Sequence, residues 1–270
     1  MPELPEVETI RRGLSSLIVG RKILDITTDS PKQVQPSPAV VKKAVVGAKI
    51  KKIARRAKLL QIFLSNGQIL AVHLKLTGRL LVRKKSDPID DWQHATINLS
   101  GNKELRFADL RKFGWIKLLD AESLKSELNQ YGPEPLDDLT LEKFKEILSL
   151  TCRPVKQVLM DQKKISGIGN IYANDALFLA KINPGRPASK LSLAEVKKLY
   201  EAIEKVLKAG IKYRGASDQH YLDALGRKGS YQEHFLVYGR QAKKCFNCAE
   251  KIKKIKLGGR GTYFCPRCQS

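Results

Sequence analysis

The sequence predicts an α+β protein in which a helix and a sheet-forming half precede a helical half and a small cysteine module. Three observations support this. Short apolar or alternating segments crowd residues 22–119, helical periodicity runs through residues 140–209, and four cysteines close the chain in two pairs. At 270 residues the chain is long enough for two domains and a small appendage.

The first predicted element is a helix near the N-terminus. Apolar side chains recur at helical spacing from residue 7 to residue 17, and Glu6 and Glu8 lie in the first turn, where negative charge suits the helix dipole. We therefore expect a helix over residues 6–17.

About eight strands follow, because alternating or apolar segments are separated by turn pairs such as Asn66-Gly67 and Gly101-Asn102. So many strands in about a hundred residues indicate a β-sandwich or barrel. The predicted strands cover residues 22–28, 45–54, 58–64, 68–74, 79–82, 95–99, 104–107 and 115–119.

Two prolines and a glycine within residues 131–135 predict a stiff connector, beyond which the chain is helical. Ser192 and Glu195 form a capping box at the start of the last helix, and Gly210 and Gly215 are expected to end it. The predicted helices cover residues 140–150, 155–164, 170–181 and 192–209.

Gly167 and Gly169 precede the third of these helices, where glycine allows close approach of backbone to a phosphate. The alternative is a helix-connecting turn that uses glycine for backbone geometry alone. No strand precedes this turn, so a dinucleotide-binding fold is not indicated.

The cysteine pairs follow the pattern Cys-x2-Cys-x16-Cys-x2-Cys, with Cys245 and Cys248 in one pair and Cys265 and Cys268 in the other. Two such turns complete a tetrahedral four-thiolate site with no open position, which predicts one structural Zn2+ ion. Two disulfides are disfavoured in a reducing cytosol, and a dithiol redox site lacks the surrounding βαβ pattern. We interpret Cys152 as a small buried hydrophobic residue.

The formal net charge is +23, from 50 Lys+Arg against 27 Asp+Glu. Charge of this size predicts a polyanionic partner, with nucleic acid ahead of an anionic membrane surface and solubility alone ranked lower. No apolar run reaches the 18 or more residues that a membrane-spanning helix needs, and the acidic N-terminus is unlike a secretory signal. We therefore expect a soluble intracellular protein with no membrane partner.

The N-terminus carries reactive chemistry. Removal of Met1 would leave Pro2 as a free secondary amine beside the Glu3 carboxylate. An α-amino group titrates near pH 8, so a useful fraction is neutral and nucleophilic at physiological pH. The alternative is a frayed terminus whose prolines only limit the backbone.

Three motifs occur together and in order: Pro2-Glu3-Leu4-Pro5-Glu6, the stretch at residues 159–173, and the four cysteines. In this combination the chain resembles the bacterial formamidopyrimidine-DNA glycosylases, which are base-excision repair glycosylase/AP lyases. Further matching motifs lie at residues 109–114, 132–136, 226–230 and 259–262.

The resemblance implies an N-terminal helix plus β-sandwich and a C-terminal helix–two-turns–helix domain with a four-cysteine zinc-finger hairpin. Double-stranded damaged DNA would bind across the cleft between the domains. The implied divisions are a catalytic domain (1–131), a linker and start of the helical domain (132–152), a helix–two-turns–helix domain with a lesion-covering loop (153–235) and a zinc-finger hairpin (236–270).

The resemblance also assigns catalytic roles. The Pro2 amine would attack C1′ of a damaged nucleotide, and Glu3 would serve as acid/base, with Glu6 supporting this arrangement or only capping the helix. Lys58 would contact phosphate near the lesion and donate a proton during elimination, and Arg260 would grip the flanking phosphates.

Asn170 resembles a phosphate-binding asparagine of the two-turn motif, and Arg111 resembles the arginine that contacts the orphaned cytosine. The implied intercalating set is Leu76, Arg111 and Phe113, although Phe113 also fits a core position. At Leu76 the family more often has methionine. The DNA-contact candidates that solvated surface positions explain almost as well are His94, Arg153 and Lys156.

In the lesion-covering loop Gln219-His220 replaces a common Arg-Asp pair, which leaves lesion preference open. Oxidised purines are the implied substrates. The alternatives are the sister branch for oxidised pyrimidines, which residues 4–8 with Arg111 and Phe113 disfavour, and a non-catalytic zinc-containing DNA-binding protein. We also expect a monomer in the bacterial cytoplasm, associated with the nucleoid through DNA.

Overall fold

The computed structural model describes residues 1–218 and 220–270, which form two compact units. The first unit contains residues 1–129 and 213–230, and the second contains residues 130–212 and 231–270. The domain boundaries predicted at residues 131, 152 and 235 stay predictions.

Among the described residues, helices and strands are interspersed in the first unit, whereas in the second unit the helices all precede the strands. The helices are α1 (Leu4–Ile18), α2 (Pro38–Val45), α3 (Ala121–Leu128), α4 (Leu141–Ser149), α5 (Val155–Met160), α6 (Asn170–Leu179) and α7 (Leu193–Lys212). The strands are β1 (Ile23–Thr28), β2 (Val34–Gln35), β3 (Ile50–Arg56), β4 (Leu59–Leu64), β5 (Ile69–His73), β6 (Gly78–Lys84), β7 (Gln93–Leu99), β8 (Lys103–Asp109), β9 (Trp115–Leu119), β10 (Lys253–Leu257) and β11 (Arg260–Phe264).

Two sheets share the core of the first unit. One is antiparallel with the order β1-β7-β8-β6, and the other has the order β2-β9-β5-β4-β3, in which only β2 and β9 pair in parallel. Side chains from both sheets, such as Ile97 and Val72, meet those of α1 and α2 in one hydrophobic cluster. The predicted helix plus β-sandwich is confirmed.

Helices α2 and α3 were not predicted, and the strand predicted over residues 45–54 begins only at Ile50. The Ser37 hydroxyl accepts a hydrogen bond from Val40 N, and Pro38 occupies the first turn, so the chain starts a helix there. In α3 the Asp120 carboxylate caps Ser123 N in the same way. Both caps are visible in the sequence, but the β-branched valines within residues 40–46 also fit a strand.

The segment 213–230 belongs to the first unit because its side chains complete the sandwich core. Tyr221 and Ala224 are buried there, and the carbonyl oxygen of Ala224 accepts from Val82 N on β6 at 2.8 Å. A Cβ on Gly13 of α1 would lie 3.0 Å from that of Ala224, so glycine allows α1 to approach the segment. The predicted lesion-covering loop is therefore attached to the element that carries the N-terminus.

The second unit packs α6 against α7, α5 and β11. The predicted capping box is confirmed, because Ser192 N donates to Glu195 Oε2 at 2.8 Å and Glu195 N donates to Ser192 Oγ at 3.3 Å. The prediction that Gly210 ends α7 is wrong, because Gly210 lies within this helix. A Cβ there would lie 2.5 Å from the Tyr172 ring, so this glycine serves close packing of α7 on α6.

Helix α5 ends at Met160, four residues earlier than predicted. The Gln162 side chain explains this end, because its Nε2 donates to Met160 O and Ile168 O while its Oε1 accepts from Gly167 N. These bonds satisfy backbone groups of a compact turn between α5 and α6, which gives the helix–two-turns–helix arrangement.

A buried carboxylate connects α6 to the cysteine module. Asp175 accepts backbone hydrogen bonds from Leu236, Val237 and Tyr238 at 3.0–3.2 Å, and another from the Tyr231 hydroxyl. Burial raises the pKa of Asp175 to about 6, although these four donors act in the opposite direction.

Among the described residues no helix is both long enough and apolar enough to cross a membrane.

Candidate active site and metal centre

The start of α1 holds two buried carboxylates beside Pro2. Pro2 is buried, and Glu3 and Glu6 keep only 2% and 1% of their surface exposed. Glu6 Oε2 accepts from Glu3 N at 2.8 Å, closing the first helical turn, and Pro5 fits this turn because its missing N–H has no helical partner. The residues predicted to react therefore lie in an ordered turn, and the frayed-terminus alternative is wrong.

Glu6 also binds the segment 213–230 of the same unit. Its Oε1 accepts from Ala216 N at 2.8 Å, and its backbone oxygen accepts from the Tyr221 hydroxyl at 3.4 Å. Burial and the Glu6 charge hold the pKa of Tyr221 well above its usual value. Gly215 has φ of +81°, and a Cβ there would lie 2.8 Å from Glu6 Cγ. Glu6 thus caps α1 and also ties the predicted lesion-covering loop to it.

Lys58 is almost fully buried, with 5% of its surface exposed, at the turn between β3 and β4. Ala57 precedes it in the left-handed region, with φ of 53°. Lysines on a solvated surface are seldom this buried. The position of Lys58 therefore fits a role in the site better than that of an ordinary surface lysine.

An ion-pair cluster joins the Lys58 turn to α1. Glu8 accepts from Arg11, Arg12 and Arg55, and Arg55 Nη1 also donates to Ala57 O at 2.9 Å. Burial opposes ionisation of Glu8, but the arginine hydrogen bonds and charges outweigh it and lower its pKa to about 2. Sequence analysis placed Glu8 only in the helix dipole, since its pairing with Arg55 depends on the fold.

His73, at the end of β5, was missed by the sequence analysis. Burial and the charges of Lys75 and Lys58 lower the pKa of His73 to about 3, so its imidazole is neutral at pH 7. Its Nδ1 accepts from Lys75 N at 3.0 Å, which leaves the proton on Nε2. The sequence signal was a lone histidine inside the strand predicted over residues 68–74, which is too common to single out.

A cavity of about 520 Å³ lies at this end of the first unit. Met1 and two members of the predicted wedge, Leu76 and Phe113, line it, together with Trp115. Met1 is 46% exposed and is bonded to the buried Pro2, so removal of Met1 would free the Pro2 nitrogen next to a residue position that lines this cavity. The lysines that share the lining are Lys32, Lys75 and Lys112.

Phe113 is 52% exposed, which excludes the core position considered for it. The exposed Arg111 guanidinium lies over its ring, 4.7 Å from the ring centre. An exposed phenylalanine stacked with arginine fits a wedge better than a core. Leu76, on the turn between β5 and β6, is half-buried.

In the second unit the structure brings Arg260 and Asn170 together. Arg260 is exposed at the start of β11, and Asn170 begins α6. Asn170 Nδ2 donates to Gly261 O at 3.1 Å, next to Arg260 in the chain. Two candidate phosphate contacts therefore lie close together at the tip of the β10–β11 hairpin.

Lys156 is not on the solvated surface. Only 1% of it is exposed, and its Nζ donates to Gly261 O at 3.0 Å and to Thr262 Oγ1 at 2.8 Å. Its ammonium group is therefore bound to the hairpin that carries Arg260, and this buried position was not predicted.

His94 and Arg153 both have carboxylate partners. His94 Nδ1 lies 2.9 Å from Asp29 Oδ1, and the exposed Arg153 pairs with Asp161 at 2.8 Å. Their assignment as DNA contacts stays a prediction. Cys152 is exposed, so its interpretation as a buried residue is wrong.

The structure describes only part of the Gln219-His220 pair, at which the lesion-covering loop departs from the family pattern. Gln219 lies outside the described residues. His220 packs edge-on against Trp92 with ring centres 5.9 Å apart, and its carbonyl oxygen accepts from Arg79 Nε at 2.7 Å. The Arg79 guanidinium in turn lies over the Trp92 ring.

The four paired cysteines converge on one point. Their Sγ atoms lie within 4.8 Å of one another, with 3.9 Å between Cys245 and Cys268 and 3.4 Å between Cys248 and Cys265. Four Zn–S bonds of about 2.3 Å in a tetrahedron would place the sulfurs about 3.8 Å apart. The geometry therefore fits a structural zinc ion with no open ligand position, as predicted.

Three family models match successive parts of the chain. They describe the formamidopyrimidine-DNA glycosylase N-terminal domain over residues 1–116, the H2TH domain of the same enzymes over residues 131–221, and a zinc finger found in FPG and IleRS over residues 242–270. Together with the sandwich, the two-turn motif and the cysteine site, they place the chain in the class of zinc-containing DNA glycosylases.

Full-length similarities agree. A formamidopyrimidine-DNA glycosylase of Pelotomaculum thermopropionicum is 43% identical, covering 100% of this chain and 99% of its own. Two solved Lactococcus lactis Fpg complexes, one of a mutant with Fapy-dG containing DNA and one with an oxidised pyrimidine containing DNA, have TM-scores of 0.94 and 0.93 at 36% identity, covering 100% of both chains. The chain belongs to the formamidopyrimidine-DNA glycosylase family, which confirms the resemblance found in the sequence.

Proposed function

We propose that this protein excises oxidised purines, 8-oxoguanine and formamidopyrimidines, from duplex DNA and then cleaves the strand. The main support is the ordered turn of Pro2, Glu3 and Glu6. It follows Met1, which lines a cavity together with the wedge candidates Leu76 and Phe113. The similarity to proteins solved with damaged DNA supports DNA as the partner.

The nucleophile is the Pro2 nitrogen once Met1 is removed. Its lone pair forms a bond to C1′ as the glycosidic bond breaks. The base leaves with the electron pair of the glycosidic bond and takes up a proton. Ring opening of the sugar and loss of the amine proton then give an iminium. A secondary amine suits this step because its iminium keeps a positive charge and withdraws electrons from C2′.

Elimination completes the reaction. A proton leaves C2′ and the 3′ phosphate departs, and a second elimination expels the 5′ phosphate. Water then hydrolyses the iminium, which breaks the bond between the nitrogen and C1′ and regenerates the Pro2 amine. Glu3 moves protons during ring opening and elimination, since it is next to the amine and buried. Lys58 contacts phosphate near the lesion and donates a proton, and Glu6 keeps Glu3 and the loop at residue 216 in place.

The hairpin of the second unit grips the phosphates that flank the extruded nucleotide. Arg260 supplies the charge, and Asn170 and Lys156 fix the backbone beside it. Zinc, when bound to the four cysteines, folds the module that carries this hairpin. Its role is structural.

Extrusion of the nucleotide costs about a few kcal/mol of lost stacking and pairing. Leu76 and Phe113 fill the gap, and Arg111 contacts the orphaned base. Leucine in place of the family's common methionine keeps the apolar volume but loses the flexible thioether, so wedging persists with altered tolerance.

Lesion preference separates this proposal from the sister activity on oxidised pyrimidines. Single-turnover excision of 8-oxoguanine opposite cytosine should be faster than excision of thymine glycol opposite adenine. A strong preference for thymine glycol would overturn the purine assignment while leaving the glycosylase assignment intact. A protein that binds both duplexes but releases neither base would be the non-catalytic alternative.

We further propose a monomer that acts on double-stranded damaged DNA in the bacterial cytoplasm. The net charge of +23 supports a polyanionic partner of this kind. Sedimentation of the purified protein alone and on a lesion duplex tests the monomer, and a two-to-one complex would contradict it.

A further inference from the structure

We infer that Asp109 and Thr77 couple the two wedge turns, so that Leu76, Arg111 and Phe113 enter the DNA as one unit and the opposite base is read in register. The inference rests on the proposed function. The turns are residues 74–77, between β5 and β6, and residues 110–114, between β8 and β9.

Asp109 is a buried carboxylate that the proposed chemistry does not use. None of its surface is exposed, and a buried charge of this kind requires compensating donors. One oxygen, Oδ1, accepts from the Thr77 hydroxyl, and the other, Oδ2, accepts from Gly114 N at 2.7 Å. A single side chain at the end of β8 thus binds both turns.

The Thr77 hydroxyl completes the connection. While it donates to Asp109, its Oγ1 accepts from Arg111 N at 3.1 Å, and the same N–H lies 3.3 Å from Asp109 Oδ1. Thr77 directly follows Leu76 in the chain. The backbone that carries the arginine of one turn is therefore bonded to the residue next to the apolar wedge of the other.

Gly114 is closely packed in this arrangement, with no space for a side chain. A Cβ there would lie 2.8 Å from the Phe107 ring and 3.1 Å from Asp109 Oδ2. Gln33 Nε2 donates to Gly114 O at 3.0 Å and, more weakly, to Asp109 Oδ2 at 3.4 Å. Phe113 is exposed on this turn. The residue after it, Gly114, is bound to Asp109 through its N–H and to Gln33 through its carbonyl oxygen.

Functionally, the coupling makes Thr77 and Asp109 positioning residues. They do not reach the cavity lining themselves, but they set the spacing between its apolar wedge side chains. Loss of the Thr77 hydroxyl leaves Arg111 N with only its 3.3 Å bond to Asp109 Oδ1 and removes the bonds that join the two turns, so the turns can move independently. Insertion and recognition of the opposite base should then suffer more than the chemistry at C1′.

The test compares Thr77→Val, which keeps the shape but removes the hydroxyl, with Thr77→Ser, which keeps the hydroxyl. Thr96→Val on β7 is the matched control, because its hydroxyl accepts a bond from Gln93 and none of its described bonds reaches either turn. Asp109→Asn is a second variant in case Thr77→Val fails to fold, since asparagine can still accept from Gly114 N but presents its amide to Thr77.

We expect Thr77→Val to slow 8-oxoguanine excision opposite cytosine about tenfold and to reduce the preference for cytosine over adenine. Cleavage of a preformed abasic site should fall less than about threefold, because less stacking is lost there. Thr77→Ser and Thr96→Val should stay within about twofold of wild type. Equal losses on both substrates, or an unchanged preference for cytosine, would overturn the coupling.

A binding measurement tests the coupling without catalysis. Fluorescence of 2-aminopurine placed opposite a tetrahydrofuran abasic analogue should rise when wild type inserts its wedge, and should rise less with Thr77→Val. An equal rise would refute the coupling even if excision were slowed. Failure of wild type to excise any base, with the fluorescence difference intact, would instead refute the proposed function.

Discussion

At the scale of single residues, α1 uses two glutamates for different purposes. Glu6 is almost fully buried, and its two oxygens accept from the backbone of Glu3 and of Ala216. Glu8 is bound by arginine side chains and supports the turn that carries Lys58. Glu6 thus orders the N-terminal turn, and Glu8 orders the neighbouring turn that carries Lys58.

Glu6→Gln should destabilise the protein and slow excision. The glutamine amide must face one of two buried N–H groups, and an unpaired buried donor costs about 1–3 kcal/mol. Urea unfolding and single-turnover excision on 8-oxoguanine measure the two effects. The control is Glu201→Gln on the exposed face of α7, which should change neither. A Glu6→Gln variant as stable and active as wild type would contradict the double role.

Glu8 makes stability sensitive to acid. Its pKa falls from 4.5 to about 2 on folding, so the stability it adds is fully present above pH 4.5 and is lost as pH falls toward 2. Glu8→Gln should therefore lower the melting temperature at pH 7, and the difference from wild type should shrink between pH 4.5 and pH 2. A difference that stayed constant over this range would contradict the ionised cluster.

At the scale of elements, the β10–β11 hairpin is held at two places. The cysteine site lies at its base, and Lys156 and Asn170 bind the backbone beside Arg260 at its tip. The position of Arg260 therefore depends on the metal site and on both α5 and α6.

Lys156→Met should weaken binding to an abasic-analogue duplex about tenfold while zinc content stays at one per chain, because one buried hydrogen-bond donor to the tip is lost. Lys251→Met is the control, an exposed lysine of the same module. It removes one surface charge and should reduce affinity only slightly. Equal losses in the two variants would show that Lys156 acts only through its charge.

Zinc removal should act on the hairpin before the sandwich. Native mass spectrometry should find one zinc ion per chain, and chelation or Cys265→Ser should abolish DNA binding while residues of the first unit keep their hydrogen-exchange protection. Protein without stoichiometric zinc that still binds the lesion duplex would contradict a structural metal at this site.

The sequence predicts those elements whose signals are local. Helical spacing in α1, the capping box of α7 and the cysteine spacing each need only neighbouring residues, and all are confirmed. The strand predicted over residues 45–54 was partly wrong because Val45 ends α2 and a turn follows, in which Gly47 has a φ of 91°. The burial of Lys156 and the exposure of Phe113 could not be predicted, because both depend on contacts between residues far apart in the chain.

At the scale of the whole molecule, the proposed catalytic residues and the proposed phosphate-binding residues lie in different units. Pro2, Glu3 and Lys58 lie in the sandwich unit, and Arg260 and Asn170 lie in the helical unit. The excess of positive charge favours binding to any DNA, so affinity alone does not identify the activity. A covalent bond to the Pro2 nitrogen distinguishes the proposed glycosylase from a DNA-binding protein with the same fold.

Borohydride trapping on an 8-oxoguanine duplex tests this directly, with peptide mapping of the adduct by mass spectrometry. We expect wild type to give a covalent adduct on the peptide that starts at Pro2 and lacks Met1, and Pro2→Gly to give far less. An adduct located on a lysine such as Lys58, or no adduct from active wild-type protein, would contradict Pro2 as the nucleophile.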